Sequence, residues 1–115
     1  METFISERDG EILVVSADGG LNRDTAHQLI AAVTRHVASG ARSIVVDCSR
    51  LQVISSAGIG VLLQLHRDMR AQGASVRLAG LQGLVAQALR LTRLDGFFEL
   101  FPDVNAAKLA FRPES

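Results

Sequence analysis

The sequence predicts a single α/β domain built on a mixed, mostly parallel sheet with an antiparallel edge strand. Three observations carry that expectation. Strand-like and helix-like hydrophobic patterns alternate along the chain, as a parallel sheet crossed by helices requires. The run Ser43-Ile44-Val45-Val46-Asp47 is apolar and β-branched at successive positions, which suits a strand buried on both faces. Near the N-terminus Asp9-Gly10 separates two strand-like runs, the signal of a hairpin, and a hairpin supplies the antiparallel edge.

Taken in order, Phe4 and Ile5 belong to the first strand and Ile12-Leu13-Val14-Val15 to the second. Gly19-Gly20 interrupts the chain, and Asn22 is placed to cap a first helix whose apolar positions are Ala26, Leu29, Ile30, Val33 and Val37. Gly40 stops that helix, because a residue without a side chain readily takes the left-handed turn that closes it. After the strand at Ser43–Asp47, a loop through Gly58 leads into a second helix, with Ile59, Leu62, Leu63, His66 and Met69 expected on its inner face and Gly73 at its end. Ser75-Val76-Arg77-Leu78-Ala79 reads as a strand, and Leu84, Val85, Ala88 and Leu89 as a third helix, broken near Asp95-Gly96. Phe97 to Phe101 reads as a last short strand, followed after Pro102 by a short helix with Ala106, Leu109 and Ala110, and by a polar tail over 112–115.

A chain of 115 residues is one domain, long enough to bury a core without disulfides or metals. Basic and acidic residues balance at 12 each, so no electrostatic footprint for nucleic acid or an anionic membrane is expected. Cys48 is the only cysteine, which excludes an internal disulfide and suits a reducing compartment. The first seven residues lack the basic and apolar regions of a signal peptide, and no apolar run approaches the ~20 residues of a spanning helix. The expectation is a cytoplasmic protein.

In open α/β sheets, binding sites gather beyond the carboxyl ends of the strands, here the segments Ala17–Asn22 and Asp47–Gly58. The second contains Ser55-Ser56-Ala57-Gly58, and two readings fit it. A serine at a helix start is ordinarily an N-cap, its hydroxyl accepting an amide of the first turn. The same place suits a phosphoryl group, which would face free amides and the positive end of the helix dipole, while Ala57, Gly58 and Gly60 leave room for a partner's close approach.

Other chemistries fit less well. A serine hydrolase needs Gly-x-Ser-x-Gly, but Ile54 stands where the first glycine belongs, and His27, His36 and His66 all fall within helices. His66 reads as a packing residue, and His27 and His36 as solvated. A phosphoacceptor receiver would use Asp47, but Asp18 is solitary where an acidic pair is needed and Lys108, the only lysine, sits in the last helix. Asp47 then reads as a strand-end residue that accepts loop amides, and Cys48 as a packing thiol. No His/Cys pair has ligand spacing, and Gly58-x-Gly60 is a fragment of a dinucleotide fingerprint, so no metal and no cofactor is expected.

The run from Ile44-Val45-Val46-Asp47 through Leu51, Val53 and Ile54 into Ser55-Ser56-Ala57-Gly58-Ile59-Gly60-Val61-Leu62-Leu63 resembles the central motif of STAS domains, the family of anti-sigma factor antagonists. Gly19-Gly20-Leu21-Asn22 and the helix after it are similar to the family's Gly-Glu-Leu-Asp element, and Leu94-Asp95-Gly96-Phe97-Phe98 resembles its turn into the last strand. The resemblance implies a fold with the helices packed mainly on one face, and a regulatory protein in place of an enzyme. It implies partner switching: the unmodified chain binds a small ATP-using serine kinase of the histidine-kinase-like type that doubles as an anti-sigma factor. Phosphorylation ends binding, and a PP2C-type phosphatase restores it. By motif alignment the phosphorylated residue is Ser56, and the partner-binding residues are Gly20, Asn22, Arg23, Asp24, Val53, Ser55, Ser56, Ala57, Gly58 and Val61.

The sequence departs from the family pattern at two positions, where Asn22 and Ser55 replace the usual aspartates. The alternative reading is a STAS module that is never phosphorylated, serving as a transporter accessory subunit or signalling scaffold with Ser55 and Ser56 as caps. Aliphatic residues crowd around Ser56. If any of Leu51, Val53, Ile54, Ile59 and Val61 is exposed, it would form the apolar centre of a footprint rimmed by Asn22, Arg23, Asp24 and Arg50.

Overall fold

A computed structural model describes the backbone of residues 4–93, 96 and 98–111, with side chains from residue 7 onward. The elements are β1 (Phe4–Asp9), β2 (Ile12–Leu21), α1 (Arg23–Ala38), β3 (Ser43–Ile54), α2 (Ser56–Ala71), β4 (Ser75–Ala79), α3 (Gly83–Leu91), β5 (Glu99–Phe101) and α4 (Val104–Phe111). β1 and β2 form the expected hairpin, pairing antiparallel from Asp9↔Ile12 outward, with Gly10 at a positive φ of 61° in the turn. The strands lie in the order β1-β2-β3-β4-β5, and every pair after the first is parallel.

The alternation of side chains along the strands divides the apolar residues between two faces. Leu13, Val15, Ile44, Val46, Val76 and Leu78 point to the face covered by α1, α2 and α3, where the larger core lies. Val14, Val45 and Ala79 point the other way and meet Ala107 of α4 in a smaller cluster. Three helices on one face and one on the other is the expected arrangement. Arg77 fastens α4: its guanidinium stacks 3.7 Å over the Phe111 ring and pairs with Glu99 at 2.8 Å.

Several elements differ from the sequence reading, each for a packing reason. β2 and β3 do not end at Val15 and Asp47 but run on as a parallel pair to Leu21↔Ile54, with register shifts between Ser16 and Asp18 and between Gly19 and Gly20. The segments read as loops are thus strand ends. The buried face of α2 is Gly58, Val61, Leu62, Leu65 and Met69; Ile59, Leu63 and His66 are only half-buried on its flank. In α4 the residue turned inward is Ala107, with Val104 and Phe111 packed alongside, while Leu109 and Ala110 face out. His27 is exposed, but His36 is half-buried and its Nδ1 lies 3.3 Å from the Arg8 guanidinium. The last strand is shorter than Phe97–Phe101; Phe98 is buried in the larger core, while Leu94, Asp95, Phe97 and the tail 112–115 lie outside the described residues.

Candidate functional site

β2 and β3 are neighbours that end together, so the helices that follow them begin side by side. Asn22 and Ser55 are the N-caps of α1 and α2. Asn22 Oδ1 accepts the Thr25 amide at 3.0 Å, and the Asn22 amide donates back to Thr25 Oγ1 at 2.9 Å, a reciprocal box that satisfies two donors otherwise left open. Thr25 Oγ1 donates onward to the Gly20 carbonyl at 3.0 Å, so the cap also holds the end of β2.

The serine pair resolves into two different roles. Ser55 Oγ accepts the Gly58 amide at 3.0 Å, which makes Ser55 the cap. The Ser55 amide donates to the Leu21 carbonyl at 3.0 Å, and its hydroxyl reaches the same oxygen at 3.5 Å. Ser56 is the first helical residue, exposed, with no hydrogen bond to its hydroxyl among the described residues. No acidic residue occupies the first turn of α2. A dianion on Ser56 would therefore meet the positive end of the helix without a competing carboxylate from that turn.

The aliphatic residues around Ser56 divide sharply. Val53 is 56% exposed, whereas Leu51 and Val61 are buried, Val61 to 8%. Ile54 and Ile59 are half-buried. Val61 is thus a core residue and does not belong to a docking surface. Gly58 is also buried, and its role is packing: a methyl there would overlap the Leu21 carbonyl, so only glycine lets α2 start this close to the end of β2. Gly60 has nothing within 4 Å of where a methyl would sit and leaves the outer surface open. Gly20 is half-buried beside Val53 Cγ1, and Ala57 is half-buried. Asn22, Arg23, Asp24 and Arg50, the rim expected from the sequence, are exposed, none in an ion pair among the described residues.

Three participants escape the sequence reading. Thr25 completes the Asn22 cap, although threonine at that place is not the Glu or Gln of the usual box. The Leu21 carbonyl ties the two helix starts together, a backbone role that no side-chain pattern announces. A polar cleft of about 610 Å³ opens between Asp18, Ser49, Arg50 and Gln52 near the strand ends and Gln82 and Leu84 at the start of α3, two sides joined by a hydrogen bond from Gln82 Nε2 to the Ser49 carbonyl at 2.8 Å.

The other candidate groups serve structure. Asp47 Oδ1 accepts the Ser49 amide at 3.0 Å, as expected, but it does so from within β3, not from a strand end, because the strand runs on to Ile54. Burial, with the negative charge of Asp47 adding, pushes the Cys48 thiol up to about 12, and a thiol held neutral is a poor nucleophile. His66 packs edge-on against Phe98 with ring centroids 5.2 Å apart, and burial, followed by the Arg70 charge, lowers its pKa. No cluster of His, Cys, Asp and Glu among the described residues is arranged to hold a metal ion. No described helix is long and apolar enough to cross a membrane.

The family model for the STAS domain matches residues 3–107. Over 110 residues the chain is 31% identical to a Bordetella bronchiseptica protein described as an anti-sigma factor antagonist, BtrV, across 96% of this chain and 91% of that protein. Among solved structures, an anti-sigma factor antagonist from Mycobacterium paratuberculosis is similar with a TM-score of 0.83 at 25% identity, covering 96% of this chain and 94% of that one. The Bacillus cell fate determinant SpoIIAA in its phosphorylated form has a TM-score of 0.74 at 20% identity, covering 95% of this chain and 99% of that one.

Proposed function

Because this chain belongs to the STAS domain family, we propose that it is an anti-sigma factor antagonist whose partner binding is switched by phosphorylation of Ser56. The observation that carries the reading is the division of labour in the serine pair. Ser55 holds the helix, leaving the Ser56 hydroxyl exposed and uncommitted at the first position of α2. A kinase can modify Ser56 without dismantling the cap.

Unmodified, the chain offers Val53 as an apolar centre among Gly20, Asn22, Arg23, Asp24, Ser55, Ser56 and Ala57, a surface suited to an ATP-using anti-sigma serine kinase. The Ser56 oxygen attacks the γ-phosphorus of the kinase-held ATP, ADP leaves, and the serine proton passes to the kinase. The phosphoserine carries about −1.5 to −2 charges. Beside Val53 that charge must be desolvated for the partner to remain docked, which favours release without refolding of the domain. Hydrolysis by a PP2C-type phosphatase restores the surface.

The neutral Asn22 and Ser55 stand where the family pattern has aspartates; their loss removes two charges that would repel the incoming dianion and so need not prevent phosphorylation, but it changes how a kinase recognises the site. Calorimetric titration of the kinase with the wild type, Ser56→Ala and Ser56→Asp is the test. The alanine variant is expected to bind as the wild type does and the aspartate variant at least about tenfold more weakly. Equal affinities for all three would overturn the proposal.

A further inference from the structure

Toward its end β3 takes up two residues more than the strand it pairs with. Between the partners Ser16↔Asp47 and Asp18↔Arg50, β2 has only Ala17 where β3 has Cys48 and Ser49; between Gly19↔Leu51 and Gly20↔Val53, Gln52 has no counterpart at all. Such bulges are rare in parallel pairs, and they re-aim side chains away from the ladder, often beside functional sites. The stretch at these bulges, Ser49 to Gln52, lines one side of the 610 Å³ cleft, and Gln82 and Leu84 line the other. The two sides are tied together by the Gln82–Ser49 hydrogen bond and by Gly80, which at a φ of 75° sits so near that a methyl on it would stand 3.0 Å from Ser49 Cβ.

The cleft holds two charges that nothing among the described residues answers. Asp18 and Arg50 are direct partners in the β2–β3 ladder, a strand spacing of about 4.8 Å apart, yet both are exposed and neither is in an ion pair among those residues. Opposite charges side by side cancel at a distance and act only on a surface in contact, so they suit selection of a partner better than long-range steering. Leu84 adds an apolar contact: it is 69% exposed, while Val85 and Leu89 are the residues that α3 buries. The cleft also continues into the Ser56 face. Asp18, Gly19 and Gly20 pair in succession with Arg50, Leu51 and Val53, so the charged pair and the exposed Val53 lie along the same two strands.

Resting on the reading that the Ser56 face docks an anti-sigma kinase, we propose that this cleft selects which kinase docks. A segment of that kinase sets a carboxylate against Arg50, an arginine or lysine against Asp18 and an aliphatic side chain against Leu84. A kinase whose charges stand in the opposite order meets like charges at both positions and is refused. Val53 and Ser56 supply the contact that phosphorylation breaks, and the cleft supplies its specificity.

The test is calorimetric titration of the anti-sigma kinase with the full chain as wild type, as the exchange Asp18→Arg with Arg50→Asp, as Leu84→Gln and as Ser56→Asp. The exchange leaves the net charge at zero, so general electrostatic attraction is unchanged and only the local order of charges is reversed. All three cleft positions are exposed, and the variants are expected to melt as the wild type does. The exchange and Leu84→Gln are each expected to bind about tenfold more weakly, the exchange chiefly through two repulsive contacts. Wild-type affinity in the exchange, with Ser56→Asp still released, overturns the cleft proposal and leaves the Ser56 reading in place. Wild-type affinity in Ser56→Asp overturns the Ser56 reading and the proposal with it. Self-association of the chain alone that is lost in Leu84→Gln would also overturn the proposal, since the occupant would then be a second copy.

Discussion

Ser55 Oγ accepts the Gly58 amide at 3.0 Å, while the adjacent Ser56 is exposed and its hydroxyl makes no hydrogen bond among the described residues. One serine serves the helix and the other faces outward. Removal of the two hydroxyls should therefore have unequal effects. Ser55→Ala is expected to cost about 0.5–2 kcal/mol, the usual loss of a side-chain cap, and Ser56→Ala less than about 0.5 kcal/mol. Urea denaturation of the two variants beside the wild type checks the difference; equal costs would mean that the cap is shared.

The two glycines at the start of α2 should respond in opposite directions. Gly58→Ala drives a methyl into the Leu21 carbonyl and should cost at least about 2 kcal/mol, because the backbone of β2 or α2 must move. Gly60→Ala meets open space on a helix and should stabilise by about 0.5–1 kcal/mol through lower chain entropy and better helix propensity. Thermal melts of both variants settle the signs.

Alkaline stability should report Cys48. Its folded value of about 12 lies above the ordinary 9.0, so the folded state retains a proton that the unfolded chain gives up. The resulting stability is fully present below about pH 9 and declines by up to about 1.4 kcal/mol per pH unit as pH rises toward 12. The sequence has no tyrosine and Lys108 alone among lysines, so few other groups titrate in that window. Cys48→Ala should flatten the decline, measured as urea midpoints from pH 8 to 11.

His66 should act at the other end of the scale. Its folded pKa lies below the ordinary 6.5, chiefly through burial and then through Arg70. The stability it contributes is present above the unfolded value and is lost as pH falls through the folded one. His66→Gln is expected to lose less stability than the wild type between pH 7.5 and 5, which chemical denaturation at the two values would show.

The sequence pattern carries the alternation of strands and helices and the antiparallel edge well, because the buried run Ile44-Val45-Val46 and the Asp9-Gly10 turn both announce themselves. It carries the strand ends poorly. Ser49, Arg50 and Gln52 make the end of β3 look polar, and the register shifts beyond Ser16 in β2 break the period of two. The inner face of α2 is hard to read because Ile59, Val61, Leu62, Leu63 and Leu65 are apolar around most of the circumference, and only the neighbouring elements decide that Val61 and Leu65 turn inward. Helix-start chemistry points to Asn22 and to the serine pair, and the family motif selects Ser56 over Ser55. The Leu21 carbonyl and the close approach of Gly58 are properties of two backbones brought together, and the exposure of Val53 beside the buried Val61 follows from the same meeting.

Mass spectrometry of the chain after incubation with its anti-sigma kinase and ATP tests the account most directly. The expected result is a single phosphate on Ser56, absent in Ser56→Ala and undiminished in Ser55→Ala, with the modified chain no longer binding the kinase. A phosphate on Ser55, or an unmodified chain that binds the kinase through any other face, would contradict it.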